Sequence, residues 1–175
     1  SVSIASSATL DFGGDFTLMM WFKRSALSGS QRHLFSKCAT AGWQTGCKEL
    51  YFGGDVLRFG TASTGDTDSV TIADTNWHHV ALVFTRATNA LQIYVDGKLA
   101  PIEIVRDCLS KEITGGGGDT IDLAERFRDR GFRGGKIDEF RVFQHTVSPF
   151  EVGALFAPNE PLGASGFVEE MELIA

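Results

Sequence analysis

Apolar and polar positions alternate along this chain in short runs, and Gly, Asn, Asp and Ser clusters bound those runs. Such spacing predicts many short antiparallel strands. They are expected at Phe16 to Lys23, His33 to Lys37, Lys48 to Phe52, Val56 to Phe59, Ser69 to Ala73, Trp77 to Thr85, Ala90 to Val95, Thr120 to Ala124 and Gly135 to Phe143. The strand from Phe16 places Phe16, Leu18, Met20 and Phe22 on one face and Met19 and Trp21 on the other. Apolar residues on both faces predict a central strand covered on each side. Val80, Leu82 and Phe84 alternating with Ala81 and Val83 predict a second interior strand. In Val95-Asp96-Gly97-Lys98, Asp-Gly lies between two extended runs, and a tight hairpin wants positive φ at both of those positions.

Helical periodicity is nearly absent, with one exception. Ser148-Pro149-Phe150-Glu151 puts a hydroxyl N-cap three residues before a carboxylate and a proline at the first helical position. The predicted helix ends near Phe156, ahead of Pro158. Many strands and one short helix pack most economically as an all-β, two-sheet antiparallel sandwich. The domain is expected over residues 1–156. Residues 157–166, rich in Pro, Gly and Ala, read as a linker, and Phe167 to Ala175 as a last strand or the start of a neighbouring region.

Composition fits one domain: in 175 residues, 43% are hydrophobic, 14 are Phe, and 22% are charged, enough for one core and an ordinary polar surface. The net charge of −6 repels a phosphate backbone, and no Lys/Arg stripe offsets it, so nucleic acid is not an expected partner. No apolar run approaches the roughly 18 residues of a spanning helix, so no membrane insertion is expected. A chain starting at Ser1 reads as a piece of a longer protein with flanking domains. Of the three cysteines, Cys38 and Cys47 flank the loop Ala-Thr-Ala-Gly-Trp-Gln-Thr-Gly, where a disulfide could staple a hairpin. Three reduced thiols, Cys108 included, are the alternative. Gly115 to Gly118 is not followed by Gly-Lys-Ser/Thr, so it reads as a loop and not a phosphate cradle.

Three segments in order carry a resemblance. They are Asp-Phe-Thr-Leu-Met-Met-Trp-Phe-Lys at 15–23, Trp77 through Ile-Tyr-Val-Asp-Gly-Lys ending at Lys98, and Gly-Lys-Ile-Asp-Glu-Phe-Arg-Val-Phe at 135–143. The last is followed by Val-Ser-Pro-Phe-Glu-Val-Gly-Ala-Leu. Together they resemble the laminin-G-like, concanavalin A-like family, particularly its bacterial modular branch, which implies a jelly-roll sandwich. The family usually begins with a further strand bearing a Phe-Asp-Gly-like segment, and here nothing precedes Ser1. An uncovered sheet edge is a liability, so residues upstream or after Phe167 are expected to cover it.

The glycosidases of this superfamily carry carboxylates at alternating positions on one strand, and no such array occurs here. Asp138 and Glu139, being adjacent, are expected on opposite faces and so could not flank one bond. By the same rule His78 and His79 could not chelate one ion, and Trp77 is expected to pack at the sandwich edge. The resemblance implies calcium near the start of the last strand, with Asp138 as a ligand and Asp11 and Asp15 as further oxygen donors. Turn and strand-end roles are the alternative for those aspartates. Glu139 and Arg141 are expected on the face opposite Asp138, Phe140 and Val142, as a polar floor for a ligand or as an ion pair. In the segment Arg126 to Arg133, Arg128 and Arg130 could grip acidic glycan groups or an acidic protein face, unless the loop is solvated and anchored by Phe132. Trp43 offers a flat ring for a sugar face or for anchoring its own loop. The expected function is a non-catalytic recognition module, extracellular or at the cell surface, binding glycan with calcium support. A protein-interaction or architectural module and an accessory domain of a glycan-active enzyme are the alternatives.

Overall fold

The computed structural model describes residues 2–5, 7, 10, 12–27, 32–38, 47–61, 65–104, 120–124, 131–132 and 134–157. Twelve strands are described: β1 (Val2–Ile4), β2 (Phe16–Lys23), β3 (Arg32–Cys38), β4 (Lys48–Gly53), β5 (Val56–Thr61), β6 (Gly65–Thr71), β7 (Trp77–Thr85), β8 (Ala90–Val95), β9 (Lys98–Leu99), β10 (Glu103–Ile104), β11 (Thr120–Leu123) and β12 (Lys136–Phe143). One helix follows, α1 (Pro149–Phe156). The strands form two antiparallel sheets, ordered β1-β11-β3-β4-β5-β6-β10 and β12-β2-β7-β8-β9. This is the two-sheet sandwich that the strand pattern predicts.

The core lies between the sheets. Phe16, Leu18, Met20 and Phe22 of β2 and Val80, Leu82 and Phe84 of β7 meet Leu34, Phe35, Leu50, Phe52, Leu57 and Phe59 of the larger sheet. Each fully buried side chain of this kind stabilises the fold by roughly 1.5–3 kcal/mol over its exposed state. β2 lies between β12 and β7, and β7 between β2 and β8, so both are interior as their two-faced apolar pattern requires. The second face of β2 is covered by α1: Met19, Ala81, Val83 and Tyr94 form a smaller apolar cluster with Val147 and Val152.

Local chemistry sets the connections. Asp96 and Gly97 have φ of 51° and 72°, as a two-residue hairpin turn demands. At the start of α1 the Ser148 hydroxyl accepts from the Glu151 amide at 3.2 Å, and the Glu151 carboxylate accepts from the Ser148 amide at 2.8 Å, completing the capping box. The Ser148 hydroxyl also donates to the Glu151 carboxylate at 2.6 Å, and this bond first, then the Ser148 amide, holds the Glu151 carboxyl below its usual range. Thr17, buried in β2, donates to the His145 carbonyl and accepts from the Val147 amide, which fixes the approach to the helix.

Some details depart from the sequence pattern. β6 begins at Gly65, earlier than the expected Ser69, and β10 is a two-residue strand with too little pattern to be seen. Cys38 and Cys47 are joined as a disulfide, with Cα atoms 4.5 Å apart, directly beyond the Lys37–Lys48 pair of β3 and β4. Cys108, the Gly115–Gly118 tract and residues 158–175 lie outside the described residues.

Candidate functional site

The outer face of the five-stranded sheet is only partly roofed by α1, and a cleft of about 290 Å³ remains beside the helix. Trp21, Trp77, Asp138, Glu139, Leu155 and Ala157 line it. The register explains the gathering. Trp21 of β2 is directly opposite Asp138 of β12 on one side and His79 of β7 on the other. Trp77 is two residues before His79 on the same face of β7 and pairs with Lys23. Trp77 is 40% exposed and offers much of its ring to solvent. Trp77, expected to pack at the sandwich edge, stands at the start of β7 in the cleft wall.

Strict alternation would send Asp138 and Glu139 to opposite faces, and the structure corrects this. Asp138 pairs with Trp21 and Arg141 with Met19, so three steps along β12 match two along β2. The extra residue is a β-bulge. Glu139 takes φ of 49°, in the left-handed region that costs a non-glycine residue of order 1 kcal/mol. Part of that cost is offset locally, because the Asp138 carboxylate accepts the Glu139 amide at 2.8 Å. Beyond the bulge Phe140 and Val142 pack on the main core. Asp138, Glu139 and Arg141 consequently share the outer face, which also overturns the expected grouping of Asp138 with Phe140 and Val142. Arg141 donates to Glu139 at 3.1 Å across two partly exposed side chains, an ion pair worth at most about 1 kcal/mol.

Two histidines bracket the floor with opposite electrostatics. His79 is buried, its ring 5.4 Å from that of Trp21 and 6.0 Å from that of Phe156. Burial, with help from the Arg141 charge and against the pull of Asp96, lowers its pKa to about 4. It is therefore neutral at pH 7. His78 faces the other way, toward Phe22, with Nδ1 2.7 Å from Asp96 and Nε2 3.0 Å from Asp74. Burial alone would depress it, but the bonds to Asp96 and then Asp74 outweigh burial and raise its pKa. Asp74 is lowered in turn, first by the Asn76 amide and then by His78. The carboxylates sit on opposite ring nitrogens, so this trio does not converge on a metal.

Two of the three expected calcium ligands, Asp15 and Asp138, do not come together. Asp138 lies opposite Trp21, whereas Asp15 immediately precedes Phe16, and six residues along β2 separate those points by about 20 Å. Asp15 instead accepts the Arg86 amide at 2.7 Å, fixing the turn after β7. Asp11 lies outside the described residues. Among the described residues no group of three His, Cys, Asp or Glu could hold a metal ion. Asp15 and Asp138, so far apart, do not together begin the set of six to eight oxygens that calcium wants.

Trp43, Arg128 and Arg130 also lie outside the described residues. Of the arginine-rich segment, Gly131 bridges to His33 of β3, and Phe132 is buried in the main core. Phe132 thus anchors the segment's end. His33 itself pairs with Glu49 at 2.6 Å and stacks on Tyr51, all three buried. That pair is sealed within the fold.

Trp21 and Trp77 are the site residues that sequence reasoning passed over. The signal available was their offset: once β2 and β7 are paired at Trp21–His79, Trp77 falls diagonally beside Trp21.

Solved structures with the same architecture share little sequence. The binding domain of botulinum neurotoxin DC in complex with rat synaptotagmin II matches with TM-score 0.58 and 13% identity, over 84% of this chain and 36% of that one. A botulinum neurotoxin type C structure, whose description makes cell entry dependent on two ganglioside molecules, matches with TM-score 0.59 and 12% identity, over 83% and 36%. The binding domain of Paraclostridial Mosquitocidal Protein 1 matches with TM-score 0.56 and 14% identity, over 83% and 37%. The chain thus spans little more than a third of each of these structures, and the likeness is one of fold. No curated protein matches the chain. Residues 1–153 match the Laminin_G_3 family, and the chain therefore belongs to the concanavalin A-like lectin/glucanases superfamily.

Proposed function

We propose that this domain is a non-catalytic recognition module that binds a saccharide in the Trp21–Trp77 cleft, as part of a larger secreted or surface protein. The observation that carries the reading is the convergence of two indoles and two carboxylates on one open cleft. An indole face packs against the C–H face of a sugar ring, and carboxylates accept its hydroxyls. Asp138 and Glu139 are already oriented by the Glu139 amide and Arg141, so little order must be imposed on binding. Placement outside the cytosol is supported by the Cys38–Cys47 disulfide, because such bridges persist in oxidising compartments. The ganglioside named for one structural neighbour is in keeping with a glycan ligand.

A protein ligand is the second reading. It is favoured by Phe150, 84% exposed on the first turn of α1, and by the synaptotagmin complex of another neighbour.

The test is a glycan array probed with the wild-type domain and with Trp77→Ala. Saturable binding that falls at least tenfold in the variant, with the thermal midpoint unmoved, is the expected result. No binding to any saccharide, with binding to a protein partner that Phe150→Ala weakens, replaces the first reading by the second.

A further inference from the structure

The cleft's open flank carries charge that its own carboxylates do not neutralise. Lys136 of β12 is directly opposite Lys23 of β2, and Lys23 is directly opposite Trp77 of β7. Lys23 follows Trp21 by two residues on the same face, so Lys136, Lys23 and Trp77 form a row beside the row Asp138, Trp21 and His79. Lys136 is exposed and Lys23 half-buried.

Side chains directly opposed on a sheet have Cβ atoms about 5 Å apart, and like charges so placed destabilise the pairing. Among the described residues neither lysine has an ion-pair partner. Asp138, the acidic residue closest in register, turns its carboxylate to the Glu139 amide, and Glu139 is taken by Arg141. Two lysines are thus paired beside the aromatic cleft, and among the described residues neither has a counter-ion.

We propose that the saccharide bound here carries an anionic substituent, a carboxylate or a sulfate, seated between Lys23 and Lys136. The inference rests on the glycan reading above. The two ends of the cleft then impose one orientation. Asp138 and Glu139 repel the anionic group and accept hydroxyls, Trp77 receives the ring, and the lysines receive the charge. A neutral sugar satisfies the first two contacts and leaves the lysine repulsion unrelieved. Contacts of this exposed kind are individually weak and screened by salt, so the two together amount to about a tenfold preference at low ionic strength.

The experiment measures affinities of the wild-type domain, Trp77→Ala, and the double variant Lys23→Gln/Lys136→Gln for a panel of neutral oligosaccharides. Each is presented beside its carboxylated and its sulfated counterpart, at low and at high salt. About tenfold tighter binding of the acidic members, erased by the double variant and by high salt with neutral affinity kept within twofold, is the expected result. Preference for one acidic counterpart over the other identifies the group. Equal affinity for neutral and acidic members, or a preference that survives the double variant, overturns the anionic assignment and leaves the glycan reading standing. Failure of the wild-type domain to bind any member overturns both.

Discussion

Trp21 and Phe156 stack with ring centroids 5.6 Å apart and planes inclined by 25°. One belongs to a central strand and the other to the last turn of α1, so the contact couples the cleft floor to the helix that walls it. Phe156→Ala removes this contact and the one to His79. A loss of about 2–3 kcal/mol is expected, since the ring is large but not fully enclosed. Saccharide affinity should fall with it, because Leu155 and Ala157 lose their seat. Urea denaturation with parallel binding measurements checks this; full affinity in the variant would separate the helix end from the site.

Adjacent histidines give the domain two opposed pH dependences. His79 is held near 4 against 6.5 in the unfolded chain, so the unfolded state binds the extra proton between those values. Stability therefore declines as pH falls from about 6.5 to about 4, by on the order of 3 kcal/mol. His78 has a raised pKa, so its contribution is fully present below 6.5 and is lost as pH rises through the folded-state value. His79→Phe should flatten the acid limb of a stability–pH profile and His78→Gln the neutral-to-alkaline limb. Identical acid limbs for wild type and His79→Phe would contradict the assignment.

Gly97 is required twice over. Its φ is 72°, and a Cβ there would stand 2.8 Å from the Phe156 ring. Gly97→Ala is expected to cost at least 1–3 kcal/mol from backbone strain and displacement of α1 together. Gly54, with φ of 67° but open space around it, is the control: Gly54→Ala should cost only the backbone share. Equal losses at the two sites would remove the helix from the account.

The Cys38–Cys47 bridge closes a short loop between β3 and β4, with a sequence separation of 9. Loop-closure entropy assigns it about 2.6 kcal/mol. Cys38→Ala/Cys47→Ala, or reductant added to the wild type, should lower the unfolding free energy by a similar amount, and reductant should leave the variant unchanged. A reductant-insensitive wild type would argue that the bridge is not what secures these strands.

What could be read without the structure was what depends on neighbours in sequence. The two-faced apolar pattern of Phe16 to Lys23, the Asp96-Gly97 turn and the Ser148–Glu151 capping box each follow from a local rule, and each is present. The site depends on register instead. Asp15 and Asp138 fall far apart because of how β12 pairs with β2, which no short motif reveals. Glu139 gives no hint of a positive φ, since glutamate does not favour that region, so alternation misplaces every outward residue of β12 after Asp138. Trp77 and Lys23 become neighbours only once β2 and β7 are aligned.

The bulge at Glu139 has a second effect, on how copies of the domain meet one another. Among the described residues β12 is the outermost strand of its sheet and runs for eight residues. A straight edge of that length presents an uninterrupted ladder of backbone donors and acceptors to any passing strand. The turn in the backbone at Glu139 breaks the ladder near its middle, and the charges of Lys136, Asp138 and Glu139 flank the break. The distortion that brings two acidic side chains into one cleft therefore also guards the molecule against edge-to-edge aggregation.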